Sequence, residues 1–562
     1  MAVVSKPVAD HLDRQRLLHR LLFDWCLTRA EHALSQSDEP AAMNWGLVAA
    51  QCAYAFGCGE LASQRLETLG LALARSIPVP KETSDSPRRV GRWLHVMSLA
   101  FDVGGHSRLV QRWIENDVSG ETHDLVVTCM SEFDFPELLE AVAARGGKVT
   151  MLGSTPSHIE RARRLREIAW ARADRVVLHA HPFDMIPAMA FGISGGPPVI
   201  LLNHADHLFW IGAAISDQVI NLREASEDLC VRLRGIDRNA ILPIPLPLPA
   251  PNLDRASSRA KLRQRLYIPA NALVFLTIGS AFKYRAIGDL DFVAMARRLL
   301  ATLPDCHLVA VGPDAKSSGW AELSRDFKPR IHALGDQRDL AAYHAAADIY
   351  LEGFPFGSIT ALLEAGLTGL PFVRLPRTVP PPFSSARYAL SVLDQPADTD
   401  VYFAQAVALA KSSEARRSQG TAARDAITSF HCGNAWRAKL AAFKKAAPPA
   451  HSIYPVQSAP LPDAEDRFWA QFLMNRPNPH PLAFMAEHAR ARKLHPHVDF
   501  TLVRTAMAIG KGSSKLSPLV WWAMGRHCTP IVSRALEIYM RYVGWRFQYR
   551  GQRRARLLRQ SD

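Results

Sequence analysis

Residues 348–373 read DIYLEGFPFGSITALLEAGLTGLPFV, and this stretch decides the fold. A short apolar run ends near Leu351, and a turn rich in glycine follows over Gly353–Ser358. An apolar helix is predicted from Ile359, and Pro371–Leu375 reads as a second buried strand. A strand, a helix and a further strand in this order form a βαβ unit, whose two strands are parallel. The stretch therefore predicts a parallel sheet that is covered by helices.

The same alternation of strand and helix extends in both directions along the chain. The predicted strands are Trp93–Ser98, His123–Met130, Lys148–Leu152, Arg175–His179, Pro198–Asn203 and Gln218–Leu222 in a first set, and Leu273–Gly279, His307–Gly312, Arg330–Leu334, Ile349–Leu351 and Pro371–Leu375 in a second. Their interiors are mostly apolar, as expected for strands buried on both faces. The predicted fold class is α/β, with two doubly wound parallel sheets in two Rossmann-like domains.

A proline-rich segment separates the two sets of strands. Residues 241–251 read ILPIPLPLPAP, and alternating prolines can join neither a helix nor a central strand. We expect an extended connector there. The predicted domains are a helical region over 1–80, an N-terminal Rossmann-like domain over 90–240, a C-terminal one over 256–445, and a basic, mainly helical extension over 450–562.

The composition indicates a globular protein with a basic surface. Of the 562 residues, 48% are hydrophobic and 21% are charged, and the formal net charge is +14. A basic surface attracts phosphate groups, whether of nucleotides, nucleic acids or lipids. Part of the excess is local, since the last 17 residues contain Arg546, Arg550, Arg553, Arg554, Arg556 and Arg559. This tail predicts either a solvated basic end or a peripheral contact with a membrane surface.

The sequence also predicts where the protein works. None of the eight cysteines forms a C-x-x-C pair, which fits a reducing compartment. The N-terminus lacks the apolar core of a signal peptide, and no window approaches 18 uninterrupted apolar residues. We therefore expect a cytoplasmic protein. A peripheral contact with the inner face of the membrane is a further expectation.

The turn and helix of the opening stretch carry candidate binding groups. Backbone N–H groups at the start of a helix attract phosphate, and Gly353 and Gly357 let the backbone approach a ligand. A carboxylate such as Glu364 can accept the two hydroxyl protons of a ribose. Glu352 could do the same for sugar hydroxyls, or it could be an ordinary turn carboxylate.

This stretch resembles the donor-binding signature of B-type glycosyltransferases, which have two Rossmann domains, and of their large family 4 in particular. The resemblance covers roughly residues 90–445. It implies that Glu364 holds the ribose, that Gly357, Ser358, Ile359 and Thr360 line the diphosphate, and that Glu352 contacts the donor sugar. The two glutamates are twelve residues apart here, whereas family 4 usually places them eight apart. The start of the helix is also similar to that of the protein O-GlcNAc transferases.

Two further loops match the same resemblance. In TIGSAFKYRAIG, residues 277–288, Lys283 and its neighbour Arg285 correspond to the basic group that neutralises the donor phosphates. A cation there stabilises the charge on the departing nucleoside diphosphate, so no metal and no cofactor is expected. The glycine turn at Gly104 and Gly105 is similar to the loop that faces the donor from the N-terminal domain. The chain lacks a G-x-G-x-x-G fingerprint, which argues against NAD.

Histidines and an aspartate lie at two predicted strand ends of the first domain. His181 follows the fourth strand in LHAHPFD, while His204 and Asp206 follow the fifth in LLNHADH. By resemblance these segments line the acceptor side, and His204, Asp206 and His181 are the candidate catalytic groups. An imidazole there could be a general base, a metal ligand or a hydrogen-bonded structural group.

The resemblance implies a glycosyltransferase of the hexosyltransferase class that works in polysaccharide biosynthesis. It would move a sugar from a nucleotide-sugar donor to a glycan, lipid or protein acceptor. A nucleotide-sugar epimerase or a phosphorylase on the same fold is the second hypothesis. A non-enzymatic basic scaffold at a membrane or on nucleic acid is the third. The sequence contains no RNA-binding or helix-turn-helix signature, so no nucleic-acid partner is predicted.

Overall fold

The structure is a computed structural model that describes residues 6–80, 91–101, 105–247, 255–337, 339–380, 390–391, 393–446, 448–476 and 481–494. Within these ranges the chain divides into two compact units. One contains residues 59–477, and the other contains residues 6–58 and 481–494. Gly104, in the predicted glycine turn, lies outside the described residues, and so does the arginine-rich tail.

The helices of the described residues are α1 (Lys6–Ser35), α2 (Glu39–Phe56), α3 (Gln64–Arg75), α4 (Gly105–Asn116), α5 (Pro136–Ala144), α6 (His158–Arg172), α7 (Met185–Ala190), α8 (Ala225–Arg234), α9 (Arg255–Arg265), α10 (Phe292–Thr302), α11 (Trp320–Asp326), α12 (Ala341–Ala346), α13 (Ile359–Leu367), α14 (Thr399–Lys411), α15 (Ser413–His431), α16 (Gly433–Ala446), α17 (Asp463–Met474) and α18 (Pro481–Ala491). A 3-10 helix covers Ala281–Tyr284. The strands are β1 (Arg92–Met97), β2 (Thr122–Val127), β3 (Val149–Met151), β4 (Arg175–His179), β5 (Val199–Asn203), β6 (Gln218–Asn221), β7 (Asn239–Ile241), β8 (Leu273–Ile278), β9 (Cys306–Val311), β10 (Ile331–Ala333), β11 (Ile349–Leu351) and β12 (Phe372–Val373).

The strands form two separate parallel sheets, both within the unit of residues 59–477. The first has the order β3-β2-β1-β4-β5-β6-β7, and the second has the order β10-β9-β8-β11-β12. Every strand pair is parallel. The strands of the sheet centres are almost wholly buried, which matches their apolar sequences. The predicted fold class, with two doubly wound parallel sheets, is confirmed.

The strand order determines where a ligand can bind. In the first sheet the chain reverses its direction of winding between β1 and β4, and in the second between β8 and β11. At such a switch point the loops after the two central strands turn to opposite sides and leave a crevice beyond the carboxyl ends. The loop after β8 contains Lys283, and the loop after β11 contains Gly353–Ser358. Both candidate loops of the second domain therefore adjoin one crevice.

The proline-rich connector is held by the last helices of the second domain. The indole Nε1 of Trp436 donates to the carbonyl of Pro243 at 2.7 Å. The imidazole Nδ1 of His431 donates to the carbonyl of Ile244 at 2.8 Å, and the N–H of Leu246 donates back to His431. These bonds replace the sheet pairing that the prolines prevent. The connector is thus extended, as predicted, over the part of it that the structure describes.

The chain then returns to the first domain. His451 donates from Nδ1 to the buried carboxylate of Asp217 at 2.7 Å, and the N–H of Tyr454 bonds to Ala214. The following helix, α17, contacts loops of both sheets, because Trp469 bonds to His207 while the ring of Phe472 stacks on Phe356. Residues 450–476, expected in a separate extension, thus lie within the unit that contains both sheets.

The second unit is helical. Helices α1 and α2 pack against each other, with the rings of Trp25 and Trp45 edge to face at 5.2 Å. Helix α18 packs on α2 through Phe484 and Phe56, whose rings are 5.1 Å apart. Hence α1 and α2 of the predicted helical region share a unit with α18, whereas α3 of that region lies in the unit of residues 59–477. Of the helices that the structure describes, none combines the length and the apolar character needed to cross a membrane.

Candidate functional site

A cavity of about 440 Å³ lies between the carboxyl edges of the two sheets. The second domain contributes the loop after β8, the end of β9 and the first turn of α13. The first domain contributes the start of α4 and the loops after β5 and β6. The predicted site residues that line the cavity are Gly105, His204, Lys283, Gly357, Ser358, Thr360 and Glu364. Their convergence follows from the two switch points.

The start of α13 forms one wall of the cavity. Gly357, Ser358, Ile359 and Thr360 all line it, and the N-cap residue Ser358 makes no side-chain bond to the first turn. The N–H groups of that turn are therefore available to a ligand. A Cβ at Gly357 would lie 2.6 Å from Leu375 Cδ2 and 2.7 Å from Glu352 Oε1, so these two buried side-chain ends would have to shift.

Lys283 places a cation against the same helix start. Its Nζ donates to Ser358 Oγ at 3.2 Å and lies 4.6 Å from the centre of the Phe356 ring. Burial, together with the nearby guanidinium of Arg223, lowers the pKa of Lys283 to about 8. The ammonium is thus desolvated and lies where an anion would compensate its charge.

Glu364 faces the first domain across the cavity. Arg112 of α4 donates from Nη2 to Glu364 Oε1 at 2.8 Å. The two side chains are 15% and 23% exposed, so the ion pair is partly screened by solvent. Another polar group that enters the cavity can therefore compete for this carboxylate.

Glu352 has a different position from Glu364. It is 1% exposed and is not among the residues that line the cavity. Its Oε2 accepts the N–H of Leu375 at 2.8 Å, and its own carbonyl accepts the hydroxyl of Tyr402. The carboxylate lies beneath the glycine turn and holds the strand end that follows. The predicted contact between Glu352 and the donor sugar has no support from this placement.

His204 is the candidate catalytic group that lines the cavity. Burial, followed by the neighbouring His181, lowers the pKa of His204 to about 4, so its imidazole is neutral near pH 7. Its ring lies 4.1 Å from that of His106, at the start of α4. His181 does not line the cavity, and its ring packs 4.1 Å from Phe183. Burial, followed by His106, lowers the pKa of His181 to about 4 as well.

Asp206 holds a cation rather than facing the cavity. Arg223 donates to both of its carboxylate oxygens, at 2.6 Å and 2.7 Å, and Ser226 donates to one of them. Burial alone would raise the pKa of Asp206, but the Arg223 guanidinium brings this pKa well below its usual range. Arg223 and His207, whose Nδ1 is 3.3 Å from Asp206, line the cavity themselves. The carboxylate therefore orients two cavity residues.

Three arginines that sequence reasoning missed complete the lining. Arg108 and Arg112 are four residues apart on α4 and thus share one helix face, while Arg223 follows β6. With Lys283 they bring four cations, against the two carboxylates of Asp336 and Glu364. A basic residue directly after a predicted strand was a usable signal for Arg223. The two arginines on α4 gave no such signal, since most basic residues on helices face solvent.

The remaining candidates have simpler placements. Arg285 is exposed, and its guanidinium bonds to the carbonyl of Asn475 after α17. Gly105 lines the cavity, but a Cβ there would meet nothing within 4 Å. Gly104 lies outside the described residues. In the described ranges no three histidine, cysteine, aspartate or glutamate side chains are arranged to hold a metal ion.

Comparisons with known proteins were made by family, by sequence and by structure. No protein-family model and no curated protein sequence matches the chain. Among solved structures it is similar to a glycosyltransferase from Rickettsia africae ESF-5, with 12% identity, a TM-score of 0.49, and coverage of 63% of this chain and 97% of the other. Anabaena HepE in complex with UDP gives 13% identity, a TM-score of 0.46, and coverage of 63% and 99%. The Thermobaculum terrenum O-GlcNAc transferase gives 16% identity, a TM-score of 0.45, and coverage of 82% and 83%.

The strand orders of this structure support the fold by themselves. Two separate parallel sheets each reverse their winding at a central strand pair, and the loops at those two points line a shared cavity. The chain therefore has the architecture of two Rossmann-like domains that its sequence predicts.

Proposed function

We propose that the chain is a glycosyltransferase that transfers a sugar from a nucleotide-sugar donor without a metal ion. One observation carries the proposal. The start of α13, Lys283 and Glu364 lie on one wall of a cavity, and the neutral imidazole of His204 lies on the opposite wall. The first wall suits a nucleoside diphosphate, and the second suits a hydroxyl that loses a proton.

The diphosphate has two complementary groups on the second domain. The N–H groups at the start of α13 carry a partial positive charge, and Lys283 adds a full charge beside Ser358. Bond cleavage leaves additional negative charge on the departing diphosphate. Cations that are already desolvated and held in place stabilise that charge without reorganisation. This charge supply is the basis for proposing transfer that needs no divalent metal.

The nucleoside is proposed to bind next to Glu364. This carboxylate lies on the first two turns of α13, one turn beyond the proposed diphosphate position, and it lines the cavity. A ribose presents two adjacent hydroxyl donors to such a carboxylate. Arg112, which pairs with Glu364 in this structure, would then be released to the rest of the cavity.

The acceptor is proposed to approach from the first domain. His204 is neutral near pH 7 and can accept a proton from an acceptor hydroxyl. Asp206 takes a positioning role in this proposal, since its carboxylate is held by Arg223. The acceptor class is proposed to be a glycan, a lipid or a protein side chain, because each offers a hydroxyl of the required chemistry.

A thermal-shift titration tests the donor site. UDP, GDP, ADP and their sugar conjugates are compared, with and without EDTA, on the wild type, Glu364→Ala and Glu322→Ala. Glu322 is an exposed helix glutamate of the same domain and is the matched control. We expect stabilisation by one nucleotide family that persists in EDTA and in Glu322→Ala but is lost in Glu364→Ala. A folded wild type that responds to no nucleotide would overturn the proposal.

Product analysis separates the proposal from the epimerase alternative. A transferase with a suitable hydroxyl compound releases the nucleoside diphosphate and forms a glycoside. An epimerase converts one nucleotide sugar into another and releases no diphosphate. Mass spectrometry and chromatography of the nucleotide-sugar pool distinguish the two outcomes.

A further inference from the structure

Three imidazoles form a continuous row inside the first domain. His95 of β1 lies between His123 of β2 and His179 of β4. Its Nε2 is 2.9 Å from His123 Nδ1, and its Nδ1 is 2.9 Å from His179 Nε2. All three side chains are completely buried. The two ring-to-ring hydrogen bonds offset part of the cost of burying these polar groups, so the row is a built feature of the core.

The row crosses the sheet diagonally. His123 is in register with Trp93, and His179 is in register with Met97, so the row advances by two residues at each strand. The three rings therefore lie on one face of the sheet, where Trp113 of α4 contacts His95 and His179. One end of the row is near the amino edge of the sheet. The other end is at His179, the last residue of β4, on the carboxyl edge next to the cavity.

A carboxylate terminates the row at the amino edge. Asp117 Oδ2 lies 3.3 Å from His123 Nε2, a long contact outside ideal hydrogen-bond geometry. Lys444 Nζ is 2.6 Å from the same oxygen, and Ser119 Oγ is 2.6 Å from the other oxygen. Burial alone would raise the pKa of Asp117, but the bonds from His123, Lys444 and Ser119 bring this pKa well below its usual range. The carboxylate is therefore ionised at neutral pH.

An ionised carboxylate determines the tautomer of every ring in the row. Because it can only accept, it favours the His123 tautomer with the proton on Nε2, the nitrogen that lies 3.3 Å away. His123 Nδ1 is then an acceptor for an Nε2 proton of His95. In the same way, His95 Nδ1 is an acceptor for an Nε2 proton of His179. We propose that Asp117, His123, His95 and His179 form a buried relay that leaves an unprotonated Nδ1 on His179 at the carboxyl edge of the sheet.

The surroundings of His179 agree with this role. Its Nδ1 is buried and has no hydrogen-bond partner among the described residues, and the same holds for Nε2 of His106. The rings of Trp113 and His95 contact the ring of His179. The side chain of His106 bonds to the backbone of His179, and His106 and His204 both help to lower the pKa of His179 after burial. His204 lines the cavity, and its ring lies 4.1 Å from that of His106, so the open end of the relay lies behind the proposed acceptor wall.

Proton uptake at His179 moves a charge along the row. When Nδ1 of His179 gains a proton, its Nε2 proton passes to His95 Nδ1, and the Nε2 proton of His95 passes to His123 Nδ1. Each transfer breaks one N–H bond and forms another, so the net change is one added proton and a doubly protonated His123. Burial opposes a positive charge on His95 and His179, which lowers the pKa of both. The added proton ends on His123, whose Nε2 lies 3.3 Å from Oδ2 of Asp117.

The role of the relay in the reaction rests on the proposed function. A hydroxyl that attacks a donor sugar loses a proton at the acceptor wall. The relay provides a proton acceptor behind that wall and places the resulting charge near a carboxylate instead of near the reacting atoms. The four members are positioning residues, since none of them lines the cavity.

Neutron diffraction from deuterium-exchanged crystals tests the relay without any assay of activity. In the wild type we expect deuterium on Nε2 of His123, His95 and His179, and none on Nδ1 of His179. Deuterium on Nδ1 of His179 in the wild type would overturn the proposal. In Asp117→Ala, which leaves Nε2 of His123 without the nearby acceptor, we expect deuterium to appear on Nδ1 of His179. Ser119→Ala removes the hydroxyl bonds to Asp117, Glu121 and Lys444 but keeps the Asp117 carboxylate, so it should keep the wild-type tautomers.

Kinetics supply the second measurement. Asp117→Ala should lower kcat by about a hundredfold, the lower end of the range of lost acid–base assistance, while KM for the donor changes by less than about twofold. Ser119→Ala should leave kcat within about twofold of the wild type.

An unchanged kcat in Asp117→Ala would show that the relay does not contribute to the reaction. The expected tautomers in a protein that transfers no sugar would instead contradict the proposed function and leave the relay intact. The wild-type neutron map alone decides the tautomers if Asp117→Ala does not fold.

Discussion

Arg112 and Glu364 form an ion pair across the cavity, with Nη2 of the arginine 2.8 Å from Oε1 of the glutamate. Arg112 is on α4 beside the first sheet, and Glu364 is on α13 beside the second. Arg112 therefore already bonds to the carboxylate that we propose for ribose binding. Nucleotide binding and this contact between the two Rossmann-like domains therefore compete for one group.

Removal of Arg112 should increase nucleotide affinity. Arg112→Met frees Glu364, and a partly exposed ion pair contributes up to about 1 kcal/mol, which corresponds to an affinity gain of a fewfold. Isothermal titration calorimetry with the nucleotide identified by thermal shift measures this gain. Arg325→Met, at an exposed position, is the control and should have no effect. A loss of affinity in Arg112→Met would mean that Arg112 binds the ligand directly.

Nucleotide affinity should fall as the pH rises above 8. Burial, then Arg223, lowers the pKa of the free Lys283 to about 8, and a bound diphosphate raises it again. The affinity contributed by the charged lysine is fully present below the free pKa and is lost as the pH rises through the bound pKa. Calorimetry near pH 8.5 in two buffers of different ionisation enthalpy should show proton uptake on binding. Lys283→Met should bind more weakly and show no such uptake at this group, and equal uptake in both proteins would contradict the assignment.

Substitution of Glu352 should affect stability more than donor recognition. Glu352→Leu removes the buried acceptor of the Leu375 N–H, and leaving that buried donor unpaired costs about 1–3 kcal/mol of unfolding free energy. Urea denaturation measures this cost. The ratio of affinities for the nucleotide sugar and the free nucleoside diphosphate should stay constant. A selective loss of the nucleotide sugar would show that Glu352 contacts the sugar, as the resemblance implied.

The two glycine turns should respond differently to alanine. In Gly357→Ala the new methyl group would overlap Leu375 and Glu352, so a thermal melt should show a lowered Tm, and nucleotide affinity should fall with it. In Gly105→Ala the methyl group meets no atom within 4 Å, and the Tm should be close to that of the wild type. Equal melting temperatures for the two variants would contradict the close approach at Gly357.

The arginine-rich tail is predicted to bind anionic surfaces. Deletion of residues 546–562 removes six arginines, each of which contributes about 1 kcal/mol near an anionic membrane. Co-sedimentation with vesicles containing phosphatidylserine should decrease in the truncated protein, and binding by the full chain should weaken with salt. Neutral phosphatidylcholine vesicles are the control. Equal co-sedimentation of the two proteins would show that the basic tail does not contribute to membrane binding.

Much of the fold and part of the site could be predicted from local patterns. The apolar strands alternate with helices, so the two sheets and the loops after β8 and β11 followed from periodicity and glycine turns. Lys283 and Ser358 were predicted on those loops, and they lie in contact. Glu352 and Glu364, in contrast, looked alike in the sequence. One is buried beneath the turn and the other faces the cavity, because a strand end and a helix face direct their side chains differently.

The sequence by itself determined the βαβ order, the proline-rich connector and the residues that follow each strand, because these features depend on neighbours a few positions away. Only the tertiary structure decided which distant side chains meet. Arg112 reaches Glu364 across 252 positions, and the row His123, His95 and His179 exists because β2, β1 and β4 are adjacent in a fixed register. Strand order and register arise from the packing of the whole domain, and hydrophobic periodicity along one segment carries no information about them.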